Sequence, residues 1–327
     1  MGNYVVFPFT PCTYTEQMEQ LVFIPSGDRQ VPYFPSLLIP CRSERGSRHC
    51  VLYFHGNSCD IGDMKEELSV LQEFTNCHLM AVEYPGYGIT QAHSSPDHDV
   101  IDRWGIAAFL WLVQQTNLKP ENIVLFGRSI GTGPAARLAT WATAKGFRIG
   151  GLVLHSPYKS IHSVVQDYAS SFGKIFVTNY WDIEQSLAHI QPRVPLLILH
   201  GQNDEIIPCY HGFDLFNGYS GPKACLFPED SPHNEYLIID DIAVPLSKFL
   251  RKISASREAR FVRLACPPEC TAIPEMYFQV HDQWADVIHR IDSRKWSPGV
   301  YTSPITEQEE PRFEEPTPKF SWWCGSC

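Results

Sequence analysis

ENIVLFGRSIGTGPAARLA, residues 121–139, decides how the rest of the chain is read. The apolar run Ile123 to Phe126 meets Gly127-Arg128-Ser129-Ile130-Gly131 and passes without a break into a small-residue helical pattern, Thr132 to Ala139. This is strand, sharp turn, helix. A G-x-S-x-G spacing alone arises by chance in glycine-containing chains; its place between a buried-strand run and a helix makes it informative here. In so tight a turn the serine sits at a strained backbone position with its hydroxyl projecting, and flanking glycines let strand and helix pack. Ser129 is thus the candidate nucleophile. The N–H groups that open the helix, Ile130 first, have no intrahelical acceptor and carry partial positive charge, which suits a developing oxyanion.

Working outward, the same grammar repeats on both sides. Leu21 to Pro25 and Val31 to Pro40 are short, Pro-broken segments around Ser26-Gly27-Asp28, the pattern of an antiparallel hairpin at the start of a sheet. Cys50 to Phe54 is a buried-strand run ending in His55-Gly56-Asn57, and Ile61, Met64, Leu68 and Leu71 then recur at helical spacing behind Asp60, a capping residue type. Leu79 to Val82 ends in Glu83-Tyr84-Pro85-Gly86-Tyr87-Gly88, and Ile101, Trp104, Ala108 and Trp111 predict the next helix. Gly151 to Leu154, Leu196 to Leu199 and Ala224 to Phe227 supply further strands. Alternating strands and helices imply right-handed crossovers and a mostly parallel sheet with helices on both faces. Lys159 to Asp182 breaks the rhythm and reads as a small cap after the sixth strand.

Loops at the C-terminal ends of such strands carry the chemistry of open α/β sheets. Two of them hold His200-Gly201-Gln202-Asn203-Asp204 and Asp230-Ser231-Pro232-His233. His233 titrates near neutrality and suits a general base for Ser129; Asp204 suits the acid that orients it, with Asp230 and Glu229 as competitors beside the histidine. Asn57 is the second candidate oxyanion donor, and His155 and His200, placed directly after strands, read as structural.

Length and charge bound the alternatives. The 327 residues are 44% hydrophobic, enough for a sizeable core, and 36 acidic against 26 basic residues give a net charge of -10. No basic cluster of nucleic-acid type appears, so nucleic acid is not an expected partner. Eleven cysteines without disulfide-scaffold spacing, and no secretory leader pattern, lead to the expectation of a reducing, cytoplasmic setting. The longest apolar run, Ile106 to Val113, is far short of a membrane span. Neither a metal nor a cofactor is called for: Cys266 and Cys270 lack a His pair at zinc spacing.

Taken together, HGN at His55, EYPGYG at Glu83, GRSIGTG at Gly127, HSP at His155, HGQND at His200 and PHN at Pro232 resemble the α/β-hydrolase-domain serine hydrolases, in particular the type-seventeen branch of palmitoyl-protein depalmitoylases and the related Bem46-like proteins. The resemblance covers about residues 20–250. It implies an α/β-hydrolase fold, a Ser129, Asp204, His233 triad in the chain order of that fold, and hydrolysis of S-acyl thioesters on proteins, with small or lipid esters as the alternative substrates. Two departures stand out. That branch carries an N-terminal cysteine cluster where this chain has Cys12, and the glycines usual before the histidine are missing.

The expected organisation is therefore an N-terminal extension (1–20), a catalytic domain (21–252), a C-terminal extension with one helix through Val280, Trp284, Val287 and Ile291 (253–296), and an unstructured Pro/Glu-rich tail (297–327). The tail ends in Phe320-Ser321-Trp322-Trp323-Cys324-Gly325-Ser326-Cys327, whose aromatics and cysteines make Cys324 and Cys327, with Cys12, the acylation candidates for peripheral attachment to the cytoplasmic face of membranes.

Overall fold

The computed structural model describes residues 7, 10–168, 179–190, 192, 194–255, 260–278 and 321–323. The apolar runs become strands β1 (Leu21–Pro25), β2 (Tyr33–Ile39), β3 (Cys50–Phe54), β4 (His78–Val82), β5 (Ile123–Arg128), β6 (Gly151–His155), β7 (Leu196–Leu199) and β8 (Lys223–Leu226). They form one sheet in the order β1-β2-β4-β3-β5-β6-β7-β8, parallel from β4 to β8, with β1 and β2 antiparallel at one side. Of the two hairpin strands only β1 is an edge: β2 pairs on its other side with β4, so the hairpin is stitched into the sheet.

The central strands look uniformly apolar because both faces are covered. In β5, Ile123 and Leu125 point into one core with Trp104, Ala108, Ala135 and Leu138, while Val124 and Phe126 point into a second with Leu68, Leu71, Leu246 and Phe249. The first core is roofed by α2 (His98–Gln115) and α3 (Thr132–Ala144), the second by α1 (Lys65–Thr75) and α7 (Val244–Ala255). Helix α2 starts where Asp97 accepts a hydrogen bond from the Val100 N–H at 3.0 Å, the usual N-cap arrangement. Helix α1, by contrast, starts four residues later than the Asp60 reading implied. Asp60 accepts from the N–H groups of Gly62 and Asp63 and also from Thr13, so it caps a turn that ties the N-terminal segment down and precedes the helix.

Beyond β6, α4 (Ile161–Tyr168) lies within the segment expected as a cap, Lys159 to Asp182, α5 (Ile183–His189) follows it, and α6 (Tyr210–Gly218) leads to β8. Residues 260–278 pack back onto the catalytic domain. Val262 bridges Ser47 and accepts from His78, and the buried Tyr277 donates its hydroxyl hydrogen to Tyr33 O. The helix expected through Val280 and Ile291 lies outside the described residues, as do Cys324 and Cys327. Within the 297–327 tail the described part is β9 (Ser321–Trp323), antiparallel to β8 with Trp322 opposite Ala224. No described helix is long and apolar enough to cross a membrane.

Candidate active site

The turn after β5 is as tight as its sequence requires. Ser129 has φ of 51°, a left-handed value that non-glycine residues rarely adopt, and opens a 3₁₀ turn that runs straight into α3. A side chain on Gly127 would lie 2.3 Å from Gly131 O, and one on Gly131 would lie 2.3 Å from Phe54 O. Both glycines are therefore imposed by close backbone approach.

Ser129, His233 and Asp204 meet at the C-terminal edge of the sheet. Ser129 Oγ is 3.0 Å from His233 Nε2, and His233 Nδ1 is 2.7 Å from Asp204 Oδ2, with all three residues buried. The missing glycines before His233 are made good from the facing loop. A side chain on Gly201 would sit 1.9 Å from Ser231 O, so this glycine lets the acid-bearing loop and the histidine-bearing loop touch. Further bonds hold the two loops: Gln202 donates to Phe227 O and Pro228 O, and His233 N–H donates to Glu205 Oε2. Ser231 donates to Asp241, which also receives the Leu237 N–H.

Of the three candidate acids it is Asp204 that meets His233, while Glu229 and Asp230 are exposed. Burial opposes ionisation of Asp204, yet hydrogen bonds from His200 and His233, the positive field of His233 and the Ile207 N–H together hold its carboxyl well below the usual carboxylate range. His200, read from sequence as structural, thus has a second part to play: its Nε2 lies 2.8 Å from Ile207 O and 3.3 Å from Asp204 Oδ2, which fixes the carboxylate from behind. His155 is buried edge-on to Tyr236, and burial followed by the nearby Arg128 charge pushes its pKa well below the ordinary value. We expect Asp204→Asn to lower kcat about 10⁴-fold, the loss found when a triad acid can no longer fix the histidine tautomer, and Asp230→Asn to change it less than about threefold. Steady-state kinetics on the two variants check this, and a reversed order would exclude Asp204 as the acid.

The three residues open onto a cavity of about 620 Å³. Its lining includes apolar residues, Ile130, Tyr158, Ile161, Val164, Val165, Ile206 and Ile207, and polar ones, Asn57, Ser58, Cys59, Arg128 and Asn234. Helix α4 supplies three of the apolar residues and is clasped to the acid loop, since Tyr168 OH reaches Glu205 O and Ile206 O at 2.7 and 2.6 Å. Asn57 and Ile130, the expected oxyanion donors, both line this cavity beside Ser129. The Asn57 side chain accepts from Tyr87 OH at 2.7 Å, which orients the loop that carries it.

Two features of the site had no separate place in the sequence reading. One is a wholly buried pair behind the Asn57 loop, His55 Nε2 to Glu83 Oε1 at 3.2 Å. Burial opposes the imidazolium, but contacts with Cys59 and Glu83 push its pKa up to about 10. Both nitrogens face acceptors, Nδ1 lying 2.9 Å from Gly56 O, which agrees with a doubly protonated ring. The other is Arg128, a charged residue closing an apolar strand directly before the nucleophile. That break in polarity is the signal that marks it in the sequence.

A nucleophile on a strand-to-helix elbow, a histidine and an acid on two later strand ends, and a parallel sheet covered on both faces define an α/β hydrolase. The chain has that fold: residues 51–194 match the family model described as the alpha/beta hydrolase fold. Among characterised proteins it is similar to human alpha/beta hydrolase domain-containing protein 17B, 29% identical over 210 residues, 64% of this chain and 68% of that one. Protein 17C of Xenopus tropicalis is 30% identical over 210 residues, 64% of each chain, so the shared stretch is less than two thirds of that relative's length. Solved structures of the same fold include an alpha-beta hydrolase from Vibrio vulnificus, with TM-score 0.51 and 19% identity over 68% of this chain and 81% of that one. Another is an esterase from Pyrobaculum calidifontis, with TM-score 0.53 and 15% identity over 76% and 87%. At these identities the two structures speak for the fold alone.

Proposed function

We propose that the protein is a serine hydrolase that removes fatty acyl groups from protein cysteines by cleaving their thioesters. The observation that carries this reading is the continuous Ser129, His233, Asp204 hydrogen-bond chain, whose Ser129 and His233 line a cavity with many apolar side chains. His233 Nε2 takes the Ser129 proton as Oγ attacks the carbonyl carbon, and Asp204 stabilises the imidazolium that forms. The N–H groups of Asn57 and Ile130 receive the oxyanion. The carbon–sulfur bond then breaks. The leaving thiolate, with a pKa near ~8.5, needs little acid assistance to depart and then takes the proton from His233, which returns the ring to its neutral form. Water, deprotonated by the same ring, attacks the acyl-serine; the fatty acid leaves and Ser129 regains its proton.

The similarity to proteins 17B and 17C supports the assignment to this branch, and the apolar residues that α4 adds to the lining suit an acyl chain. Oxygen esters of small molecules or lipids would use the same machinery and are the second reading. Purified protein is expected to release palmitate from an S-palmitoylated peptide faster than from the matched O-palmitoyl serine peptide, with kcat/KM about tenfold or more apart, because the thiolate is the better leaving group. A preference for the oxygen ester would favour the second reading.

Acylated substrates lie at membranes, and attachment through one acyl chain is marginal, so two modified cysteines among Cys12, Cys324 and Cys327 are part of the proposal. Changing Cys324 and Cys327 to serine is expected to move the protein from the membrane to the soluble fraction without altering turnover of a soluble thioester. An unchanged distribution would remove these two residues from the reading.

A further inference from the structure

We infer that Arg128 selects substrates, its guanidinium binding a carboxylate or phosphate carried by the leaving group next to the scissile bond. The inference deepens the proposal that Ser129 attacks an acyl carbonyl, and it rests on that proposal for the position of the substrate.

Arg128 has only neutral partners among the described residues. Nη2 donates to Asn234 Oδ1 at 3.0 Å and, more weakly, to His233 O at 3.5 Å, and Cζ lies 5.0 Å from the centre of the Tyr236 ring. The nearest acid in its field, Glu67, stands behind Tyr236 and accepts that residue's hydroxyl hydrogen. Among other cations, Arg137 does pair with Asp102, and Lys159 with Asp214 and Glu184. Nε of Arg128 is buried without a hydrogen-bond partner. A largely buried cation whose counter-charge, Glu67, forms no direct ion pair with it among the described contacts is costly to maintain, and a ligand that brings an anion into contact recovers part of that cost.

The geometry says where the anion would sit. The point that a side chain on Gly56 would take is 3.2 Å from Arg128 Nη1 and 3.8 Å from Ser129 Cβ, so Gly56 leaves the guanidinium and the nucleophile side by side in the cavity lining. With the acyl chain placed against Ile161, Val164 and Val165 of α4, the leaving group falls to the polar part of the lining that includes Arg128 and Asn234. A carboxylate or phosphate a few bonds from the sulfur or ester oxygen then reaches Nη1, a donor for which neither Lys nor a neutral amide is an equivalent.

The test compares octanoyl thioesters of 3-mercaptopropionate, of 2-mercaptoethyl phosphate and of neutral N-acetylcysteamine. Wild-type kcat/KM is expected to be about tenfold or more higher for at least one anionic ester, and the two anionic arms tell carboxylate from phosphate. Arg128→Gln should bring the anionic-to-neutral ratio to about one or below, and Arg128→Lys should keep part of it. A wild-type ratio near one, or an equal fall on all three esters in both variants, would overturn the inference; the equal fall would leave Arg128 as a brace for the His233 loop. Binding reads the site without turnover. The S-octyl thioethers of the same thiols, titrated calorimetrically into Ser129→Ala, should show the same preference, lost on adding Arg128→Gln. Preference in binding with no turnover by the wild-type protein would sink the hydrolase reading and leave the anion site standing, whereas turnover without preference would do the reverse.

Discussion

Replacing Ser129 with alanine is expected to abolish labelling by a fluorophosphonate probe and to lower kcat by about 10⁴- to 10⁶-fold, because the three residues of a triad act as one unit. Ser129 Oγ is the atom that His233 Nε2 faces; of the other hydroxyls in the cavity lining, Ser58 and Tyr158, the Tyr158 hydroxyl donates to Ile130 O instead. The fold should be untouched. Ser129 keeps its left-handed backbone through the packing of Gly127 and Gly131, and an alanine inherits the same constraint with one atom fewer. His233→Ala should lose a similar factor, and the double variant should be no worse than either alone, since once the unit is broken the remaining rate comes from binding and the oxyanion donors. Additive losses would show that Ser129 and His233 act separately. Labelling that survives Ser129→Ala would mean the nucleophile is another residue.

The second large effect concerns stability. Glu83 and His55 are completely buried, and Glu83 is the hub of the contact: it also accepts from Tyr14 OH at 2.7 Å and from the Tyr84 N–H at 3.0 Å. Removing it strands the imidazolium and these donors in a dry interior, a loss of about 3 to 5 kcal/mol when one partner of a buried pair is deleted. Tyr14→Phe, which deletes one hydrogen bond, should cost only about 1 to 2 kcal/mol. Urea unfolding of Glu83→Ala measures the larger figure; a loss under about 1 kcal/mol would mean that the pair is not formed as described.

The pair also has a pH signature. Because the folded-state pKa of His55 is raised, to about 10, above an unfolded value near 6.5, its contribution is complete below about pH 6.5 and is lost as pH rises toward 10. Wild-type stability should therefore fall between pH 7 and 10 more steeply than that of His55→Gln. Equal slopes would assign the neutral form to the folded state. Function follows stability here, since His55 stacks on Tyr84 at 3.8 Å between ring centres and directly precedes Gly56 and Asn57. A loosened pair would release the loop that carries one oxyanion donor.

What the sequence by itself determined is what local physics encodes. Runs such as Cys50 to Phe54 and Ile123 to Phe126 read as strands covered on both faces, the spacing of Ile101, Trp104, Ala108 and Trp111 as a helix, and two glycines around Ser129, placed between strand and helix, as the elbow. The order of Ser129, Asp204 and His233, each just past a strand, placed them on one sheet edge before any coordinate was known, because parallel strands end on the same side. Tertiary structure decided what depends on chain segments far apart. It chose Asp204 over Asp230, which is nearer to His233 in sequence but exposed, and it showed that Gly201, on another loop, supplies the close approach that the histidine turn lacks. It joined His55 to Glu83 and set His200 behind Asp204. It also turned Asp60 from a helix cap into an anchor for Thr13, and left Arg128 beside the nucleophile with only neutral partners. None of these contacts has a periodicity or a turn signature, since each is fixed by how loops from different strands meet in space, and hydrogen bonding and burial between such loops follow the packed sheet.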